Sequence, residues 1–252
     1  MESEHEQSGG VISLQERQEF EEFKRRKRVA EARAVISRLE LSAEQAVTER
    51  ASLRRALREA EKCGIGGVSV TPCMVRPCAD FLGKSSSLKI VAALSPWGGT
   101  DATDVKVRQI RRALRDGAAV AEISAPLPAV KEGNWAYVKR ELKKLRRAAG
   151  KSLLRINIES PLLTPQELAK LCSVVCECGI TCVRMAGPAF GCGADEEEVK
   201  AAHAALKSRA VIKADGAENP GRIATLLECG AELVGSASAV ELARAILSVA
   251  EK

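Results

Sequence analysis

Histidine and aromatic residues are scarce in this sequence. Only two histidines, His5 and His203, occur among 252 residues, and aromatic side chains make up 3% of the chain. A histidine-rich zinc site or a serine–histidine catalytic triad therefore has almost no residues to be built from. The shortage of aromatic rings also leaves few platforms on which nucleic acid bases could stack, so nucleic acid is the less favoured type of partner.

Long apolar segments are lacking as well. No apolar run approaches the length of a membrane span, and the first ten residues are polar and acidic, unlike a signal peptide. We therefore expect a cytoplasmic protein that has no membrane segment.

Cysteine occurs nine times, an odd number, and its residues are scattered through apolar patterns. In a chain without a secretory signal this indicates reduced thiols rather than disulfides. A metal site could use the spacing of Cys172, Cys176, Cys178 and Cys182, but the helical and strand periodicity around them favours buried core thiols. We expect neither a metal nor a cofactor.

The N-terminal region divides into two predicted segments. Residues 1–12 are polar and without period, which predicts a disordered leader, and residues 13–33 predict a charged helix that opens with a capping box from Ser13 to Glu16. The acidic residues of this helix precede its basic ones, an order that suits the helix dipole. Five apolar residues are expected to dock it on the body of the protein: Leu14, Phe20, Phe23, Val29 and Ala30.

Residues 34–252 show a repeated pattern of helix, glycine and short apolar strand. Gly64 precedes a strand at residues 67–70, and Gly179 precedes one at residues 181–184. Glycine closes a helix in the left-handed conformation, so that the chain turns directly into a strand. Seven such strands and a weaker first candidate at residues 34–41 predict a closed TIM (β/α)8 barrel of the α/β class. The rival is an open doubly wound sheet, but no G-x-G-x-x-G motif follows the first strand.

Four motifs stand at the ends of these predicted elements. They are Val68-Ser-Val-Thr-Pro72, Ser95-Pro-Trp-Gly98 followed by Asp104-Val-Lys-Val107, Gly133-Asn134, and Leu154-Arg-Ile-Asn-Ile-Glu-Ser160. Together they resemble the deoxyribose-phosphate aldolase family, Schiff-base aldolases of the TIM-barrel class. The resemblance runs from about residue 36 to the C-terminus and leaves out the N-terminal helix.

The resemblance implies an altered set of catalytic residues. The family's Schiff-base lysine lies in an I-K-T-S-T-G strand end, where this sequence reads V-R-M-A-G-P, so Arg184 takes the place of the lysine. The position of the catalytic aspartate holds Glu122, and the second active-site lysine is retained as Lys213. Arg155 replaces a family lysine. The resemblance also implies a weakened phosphate site, in which one glycine has become alanine, at Gly216, Ala217, Gly235 and Ser238.

The family's chemistry depends on a neutral primary amine that attacks the substrate carbonyl. An arginine with a pKa of about 12.5 or higher stays protonated, and a guanidine does not form the enamine intermediate. The sequence therefore predicts a protein that does not cleave 2-deoxyribose 5-phosphate. The alternative is an active carbon–carbon lyase in which Arg184 lowers the pKa of Lys213, which becomes the nucleophile, while Glu122 transfers protons. The simpler interpretation is an ion pair of Lys213 with Glu122, with Arg184 filling the barrel mouth.

Two consecutive predicted helices, at residues 103–115 and 134–149, are rich in basic residues. Neighbouring helices of a barrel lie side by side, so these residues predict one basic surface, although an ordinary solvated surface remains possible. We call it the basic wall: Arg108, Arg111, Arg112, Arg115, Lys139, Arg140, Lys143, Lys144 and Arg147, with Lys106 also on the first helix.

A basic wall favours an acidic macromolecule as partner, such as a cytoskeletal filament like actin. The sequence therefore predicts a binding or scaffold protein, with the lyase above and a ligand sensor that keeps its pocket as alternatives. A homodimer is implied by the family resemblance alone.

Overall fold

The computed structural model describes residues 14–45, 49–187, 191 and 193–252. The predicted leader at residues 1–12 and the capping box beginning at Ser13 lie outside this range. Among the residues so described, no helix is long and apolar enough to cross a membrane.

Eight parallel strands form a closed barrel in which each strand pairs with its neighbours in the chain and the last strand pairs with the first. The strands are β1 (Leu39–Ala43), β2 (Gly67–Val70), β3 (Lys89–Leu94), β4 (Val120–Ser124), β5 (Leu153–Asn157), β6 (Cys182–Arg184), β7 (Val211–Asp215) and β8 (Leu233–Ser236). The predicted TIM (β/α)8 barrel is confirmed.

An N-terminal helix, α1 (Leu14–Ile36), precedes the barrel, and nine further helices lie between or after the strands in the described part of the chain. They are α2 (Arg50–Cys63), α3 (Val75–Leu82), α4 (Thr103–Arg115), α5 (Leu127–Lys131), α6 (Trp135–Ala149), α7 (Pro165–Glu177), α8 (Glu196–Leu206), α9 (Pro220–Glu228) and α10 (Ala239–Ala250). The expected closing glycine is seen at Gly64, whose left-handed backbone (φ 80°) ends α2.

The first strand does not lie where the sequence pattern placed it. Residues 34–36 are the last residues of α1, and β1 begins only at Leu39. Ser37 still donates its backbone N–H to Arg33 at 2.9 Å, as a helix end does. The apolar run from residue 34 to residue 41 therefore contains the end of a helix and the start of a strand, and its hydrophobicity alone could not separate the two.

The N-terminal helix contacts the barrel only through its last turns. Ala32 and Ile36 are buried against the body, and α1 packs on α10. Phe20 and Phe23 are 57% and 64% exposed, so the expectation that they dock the helix is wrong. Val29, further along the helix, is half-buried, whereas Ala30 is exposed.

Helices α4 and α6 lie side by side, as the prediction of a basic wall requires. Lys106, however, is not on that surface. Its ammonium group lies 2.6 Å from the Glu141 carboxylate, and both side chains are buried between the two helices. Glu141 also accepts hydrogen bonds from Thr103 (2.7 Å) and Tyr137 (3.0 Å). The placement of Lys106 on the exterior is therefore wrong, because its counter-charge lies on the neighbouring helix.

We expect the substitution Glu141→Gln to lower the free energy of unfolding by about 3 kcal/mol, because it leaves the buried Lys106 ammonium without a counter-charge. The double variant Lys106→Met/Glu141→Leu should recover most of this loss, since it removes both charges. Urea denaturation measures both effects. Glu177→Gln, which breaks the exposed pair with Lys139, is the control and should cost less than about 1 kcal/mol. An effect of Glu141→Gln as small as that of the control would contradict the expectation.

Candidate functional site

The interior of the barrel is lined by charged side chains. Five of them come from different strands and are at most 3% exposed: Glu40, Glu122, Arg155, Arg184 and Lys213. TIM barrels usually fill this space with layers of branched apolar residues. Buried charges are tolerated only when they are paired and hydrogen-bonded, so the contacts among these groups decide what the site can do.

Arg155 organises the deeper part of this interior. One of its guanidinium nitrogens lies 2.6 Å from a carboxylate oxygen of Glu40 and 2.8 Å from one of Glu122. Its Nε also donates to the sulfur of Cys182 at 3.3 Å. Arg155 thus joins carboxylates from β1 and β4, two strands that are not neighbours in the barrel.

Arg184 organises the part nearer the mouth. It makes two hydrogen bonds to the Asp215 carboxylate, at 2.8 Å and 3.2 Å, and one to the carbonyl oxygen of Ala186 at 2.9 Å. A third guanidinium nitrogen donates to Glu44 at 3.0 Å and to Glu122. Arginine is suited to this role because its planar group holds several donors in a fixed arrangement.

Three members of this arrangement were missed in the sequence: Glu40, Glu44 and Asp215. Two of them left a signal. Side chains alternate between the faces of a strand, so Asp215 had to share the face of Lys213, and Glu40 stands between two leucines of an apolar strand. Glu44 follows β1 in a loop, where no period predicts its direction.

Together these seven residues form what we call the interior ion cluster: Glu40, Glu44, Glu122, Arg155, Arg184, Lys213 and Asp215. The cluster contains four carboxylates and three cations.

Lys213 lies within this cluster, two residues before the end of its strand at Asp215. Its amine nitrogen is 3.2 Å from Glu40, 3.6 Å from Asp215 and 3.7 Å from Glu122. Burial and the nearby Arg184 lower the pKa of Lys213, but the three carboxylates outweigh them and raise it above its ordinary value. This direction is opposite to the lowering that the lyase alternative requires. The expected pair with Glu122 is present, although Glu40 is closer.

The carboxylates of the cluster are held in their charged form. Burial raises the pKa of Glu122, but Arg184, Lys213 and Arg155 outweigh burial and hold it well below its usual range. Burial also raises the pKa of Glu40, but the positive charges of Arg155 and Lys213 outweigh it and lower this pKa to about 2. An ionised Glu122 that is already bound to two guanidinium groups is poorly placed to carry protons for a substrate.

The space at the barrel mouth is small. The cavity there has a volume of about 10 Å³ and is lined by residues that include Glu44, Glu122, Glu159 and Arg184. This is the space of about one water molecule. A larger cleft of about 500 Å³ lies between β1 and α2, beside Ala237, and contains none of the interior ion cluster.

The backbone groups that the family resemblance assigns to phosphate binding make hydrogen bonds within the protein. The N–H groups of Gly216 and Ala217 both point to the carbonyl oxygen of Gly235, at 3.1 Å and 3.4 Å. Ser238 donates its N–H to the hydroxyl of Ser236 at 3.1 Å. A side chain at position 235 would begin 2.0 Å from a carboxylate oxygen of Asp215, so glycine is required there for Asp215 to reach Arg184.

The basic wall is exposed except for Lys139, which is half-buried. Three of its members are engaged by acids of the chain: Arg108 with Asp104, Arg112 with Asp116, and Lys139 with Glu177. Six have no carboxylate partner among the described residues, and we call them the unpaired cations: Arg111, Arg115, Arg140, Lys143, Lys144 and Arg147.

Three of the four closely spaced cysteines, Cys172, Cys178 and Cys182, are buried, and Cys176 is half-buried. Burial raises the pKa of Cys172 to about 12, which disfavours the thiolate that a metal would need. Within the described part of the chain, no group of three metal-binding side chains is close enough to hold an ion.

Glu159 is a buried carboxyl group that the sequence analysis did not single out. Its backbone is left-handed (φ 52°), and its carboxylate accepts hydrogen bonds from the Asn157 amide (2.6 Å) and the Gly187 N–H (3.0 Å). Burial raises its pKa to about 7, although these hydrogen bonds and Arg184 oppose the effect.

This raised pKa predicts a stability that falls as the pH rises. The folded protein holds the Glu159 proton up to about pH 7, whereas the unfolded chain loses it near pH 4.5. The stability that this proton contributes is therefore complete below about pH 4.5 and lost above about pH 7. The loss amounts to about 3 kcal/mol, to be measured by urea denaturation between pH 5 and pH 8. Glu159→Gln should remove this dependence, whereas the exposed Glu132→Gln should keep it. A wild-type protein equally stable across this range would contradict the assignment.

Comparison with known proteins gives a consistent answer. No model of a protein family matches the chain. Deoxyribose-phosphate aldolase 1 of Bacillus licheniformis is 26% identical over 201 residues, which cover 79% of this chain and 90% of that protein. Among solved structures, the aldolase QR15 superposes with a TM-score of 0.80 at 24% identity, over 85% of this chain and 96% of its own.

A second solved structure, the tetrameric deoxyribose phosphate aldolase from Aeropyrum pernix, gives a TM-score of 0.77 at 18% identity, over 90% of this chain and 98% of its own. The chain is thus similar in sequence to deoxyribose-phosphate aldolases, and it shares the fold of solved aldolase structures.

Proposed function

We propose that this chain does not carry out Schiff-base cleavage of 2-deoxyribose 5-phosphate and that it acts as a binding or scaffold protein for an acidic macromolecule. The observation that carries the first half is the engagement of Arg184 by three carboxylates at the barrel mouth. The second half rests on the unpaired cations of the basic wall.

Two features of the interior support the loss of the family reaction. Arg184, which the motif aligns with the family's lysine, is a permanently charged group that already binds Glu44, Glu122 and Asp215. Lys213, the lysine of the interior ion cluster, has a raised pKa, and an ammonium group has no lone pair with which to attack a carbonyl. Neither side chain is the neutral primary amine that imine formation needs.

The space available supports the same conclusion. A phosphorylated pentose needs a pocket of several hundred cubic ångströms, and the cavity beside Arg184 holds about 10 Å³. To admit a sugar, Glu44 would have to leave Arg184, which would separate a buried charge from its partner.

The exterior supports a binding role. The unpaired cations lie on α4 and α6, two helices in contact, so their charges add over one surface. Arg111 and Arg115 are one helical turn apart, as are Lys143 and Arg147, so each pair faces the same way. Protein carboxylates suit this surface better than nucleic acid, because aromatic residues, on which bases could stack, make up only 3% of the chain. An acidic protein surface, such as that of an actin filament, is the partner we propose.

Borohydride trapping tests the loss of the family reaction. With 2-deoxyribose 5-phosphate or acetaldehyde and sodium borohydride, we expect no covalent adduct on the wild-type chain in mass spectrometry, because no neutral amine is available. The Bacillus licheniformis aldolase is the positive control. An adduct on Lys213 would contradict the proposal and establish the lyase alternative. The variant Arg184→Lys completes the series, since trapping in that variant would show that only the nucleophile had been lost.

Cosedimentation with actin filaments tests the basic wall. We expect binding at low ionic strength that weakens with salt, and a loss of about tenfold or more in affinity for the triple variant Arg111→Glu/Lys143→Glu/Arg147→Glu. Lys84→Glu/Lys170→Glu/Lys252→Glu changes the net charge equally on other surfaces, so it should bind almost as wild type.

Parallel measurements with polyglutamate and duplex DNA distinguish the type of partner. Equal losses of affinity in the two triple variants would show that net charge alone is responsible for binding. Tighter binding to DNA than to actin filaments or polyglutamate would contradict our choice of partner.

A further inference from the structure

The N-terminal half of α1 extends beyond the body of the protein. Residues 15 and 17–27 are all exposed, and only the last turns of the helix are buried against α10. At 1.5 Å per residue, this free segment is about 20 Å long. Isolated helices of this length are marginal in water, so a free helical segment gains most of its stability from whatever it packs against.

Two large aromatic side chains lie on the free segment. Phe20 is 57% exposed and Phe23 is 64% exposed, and a spacing of three residues puts them on the same face of the helix. Two of the four phenylalanines of the chain are thus exposed on one face of a free helix, and large apolar side chains grouped on a surface are typical of a site that a partner covers. The Lys24 ammonium lies 4.3 Å from the centre of the Phe20 ring, and the Phe23 ring is the more exposed of the two.

Charge is divided along the same segment. The acidic residues Glu19, Glu21 and Glu22 come first, and a continuous basic run follows at residues 24–28. A helix with this division repels a parallel copy of itself and attracts an antiparallel one. The midpoint of residues 15–28 falls between Phe20 and Phe23, so an antiparallel copy sets Phe20 of one chain opposite Phe23 of the other.

We propose that α1 is a dimerisation element, which packs antiparallel against α1 of a second copy of this chain about a two-fold axis between Phe20 and Phe23. Such an interface is isologous, because both copies contribute the same surface and every contact occurs twice, related by the two-fold axis. The pair is at the small end of specific interfaces, so the dimer is weak and sensitive to salt. The proposal is independent of the proposed function, since it uses no residue of the basic wall or of the interior ion cluster.

The basic wall of a second copy is a poorer occupant. It would attract the acidic part of α1 but repel residues 24–28, and it would place both phenylalanines over charged side chains.

Sedimentation equilibrium of the full chain tests the proposal. We expect a reversible dimer at low salt that dissociates as salt is added. Phe20→Ala/Phe23→Ala should weaken the dimer at least tenfold, while circular dichroism shows the helix retained because alanine favours helices. Trp97→Ala, which removes an equally exposed aromatic outside α1, should dimerise as wild type. A wild-type chain that stays monomeric at low salt, or a dimer that survives the double substitution, would overturn the proposal.

A charge exchange tests the antiparallel arrangement itself. One variant carries Lys24→Glu/Arg25→Glu/Lys27→Glu and the other carries Glu19→Lys/Glu21→Lys/Glu22→Lys. Each variant alone should be monomeric, because the charges on residues 15–28 are then predominantly of one sign along the whole segment, and an equal mixture of the two should form a heterodimer. Failure of the mixture to associate, or homodimers of either variant, would overturn the arrangement.

Discussion

The rest of this structure depends on burying seven charged side chains at the centre of a closed barrel. Removing an ion from water costs several kcal/mol, and the cost is recovered only when each charge finds partners in good geometry. Arg155 and Arg184 meet this requirement because each guanidinium reaches two or more carboxylates. The same contacts fix the electrostatics of the site, since they keep Glu122 ionised and Lys213 protonated. In a barrel interior of this kind, charged side chains take the place of an apolar core. A charged group that is already paired with its neighbours is less able to react with a substrate.

The sequence predicted the barrel well because its signals were local and repeated. Glycines ended helices, and short apolar strands followed, so that fold class and most element positions could be inferred without any long-range contact. The first strand was misplaced because its apolar residues continue those of the preceding helix. The docking of α1 was also misjudged, since the apolar pattern of Phe20 and Phe23 does not distinguish a side chain packed on the body from one left exposed.

The site was predicted only in part. The residues that stand in motifs were found, but the partners that the fold brings to them from distant positions were not. Arg184, Glu122 and Lys213 could be found because each stands in a recognisable motif. Their states could not, because the pKa of Lys213 is raised by Asp215 on β7 and Glu40 on β1 as well as by Glu122. Glu44, moreover, reaches Arg184 from a loop 140 residues away in sequence. The Lys106–Glu141 pair shows the same limit on the exterior, where two apparently solvated charges turn out to be buried against each other.

Gly235 changes how relatives of this chain should be compared. Its missing side chain makes room for the Asp215 carboxylate, so a glycine is sterically required there whether or not a phosphorylated molecule is bound. A retained glycine at this position is therefore not by itself evidence of a phosphate site. The informative comparison asks whether an acid at position 215 and an arginine at position 184 occur together with glycine at position 235.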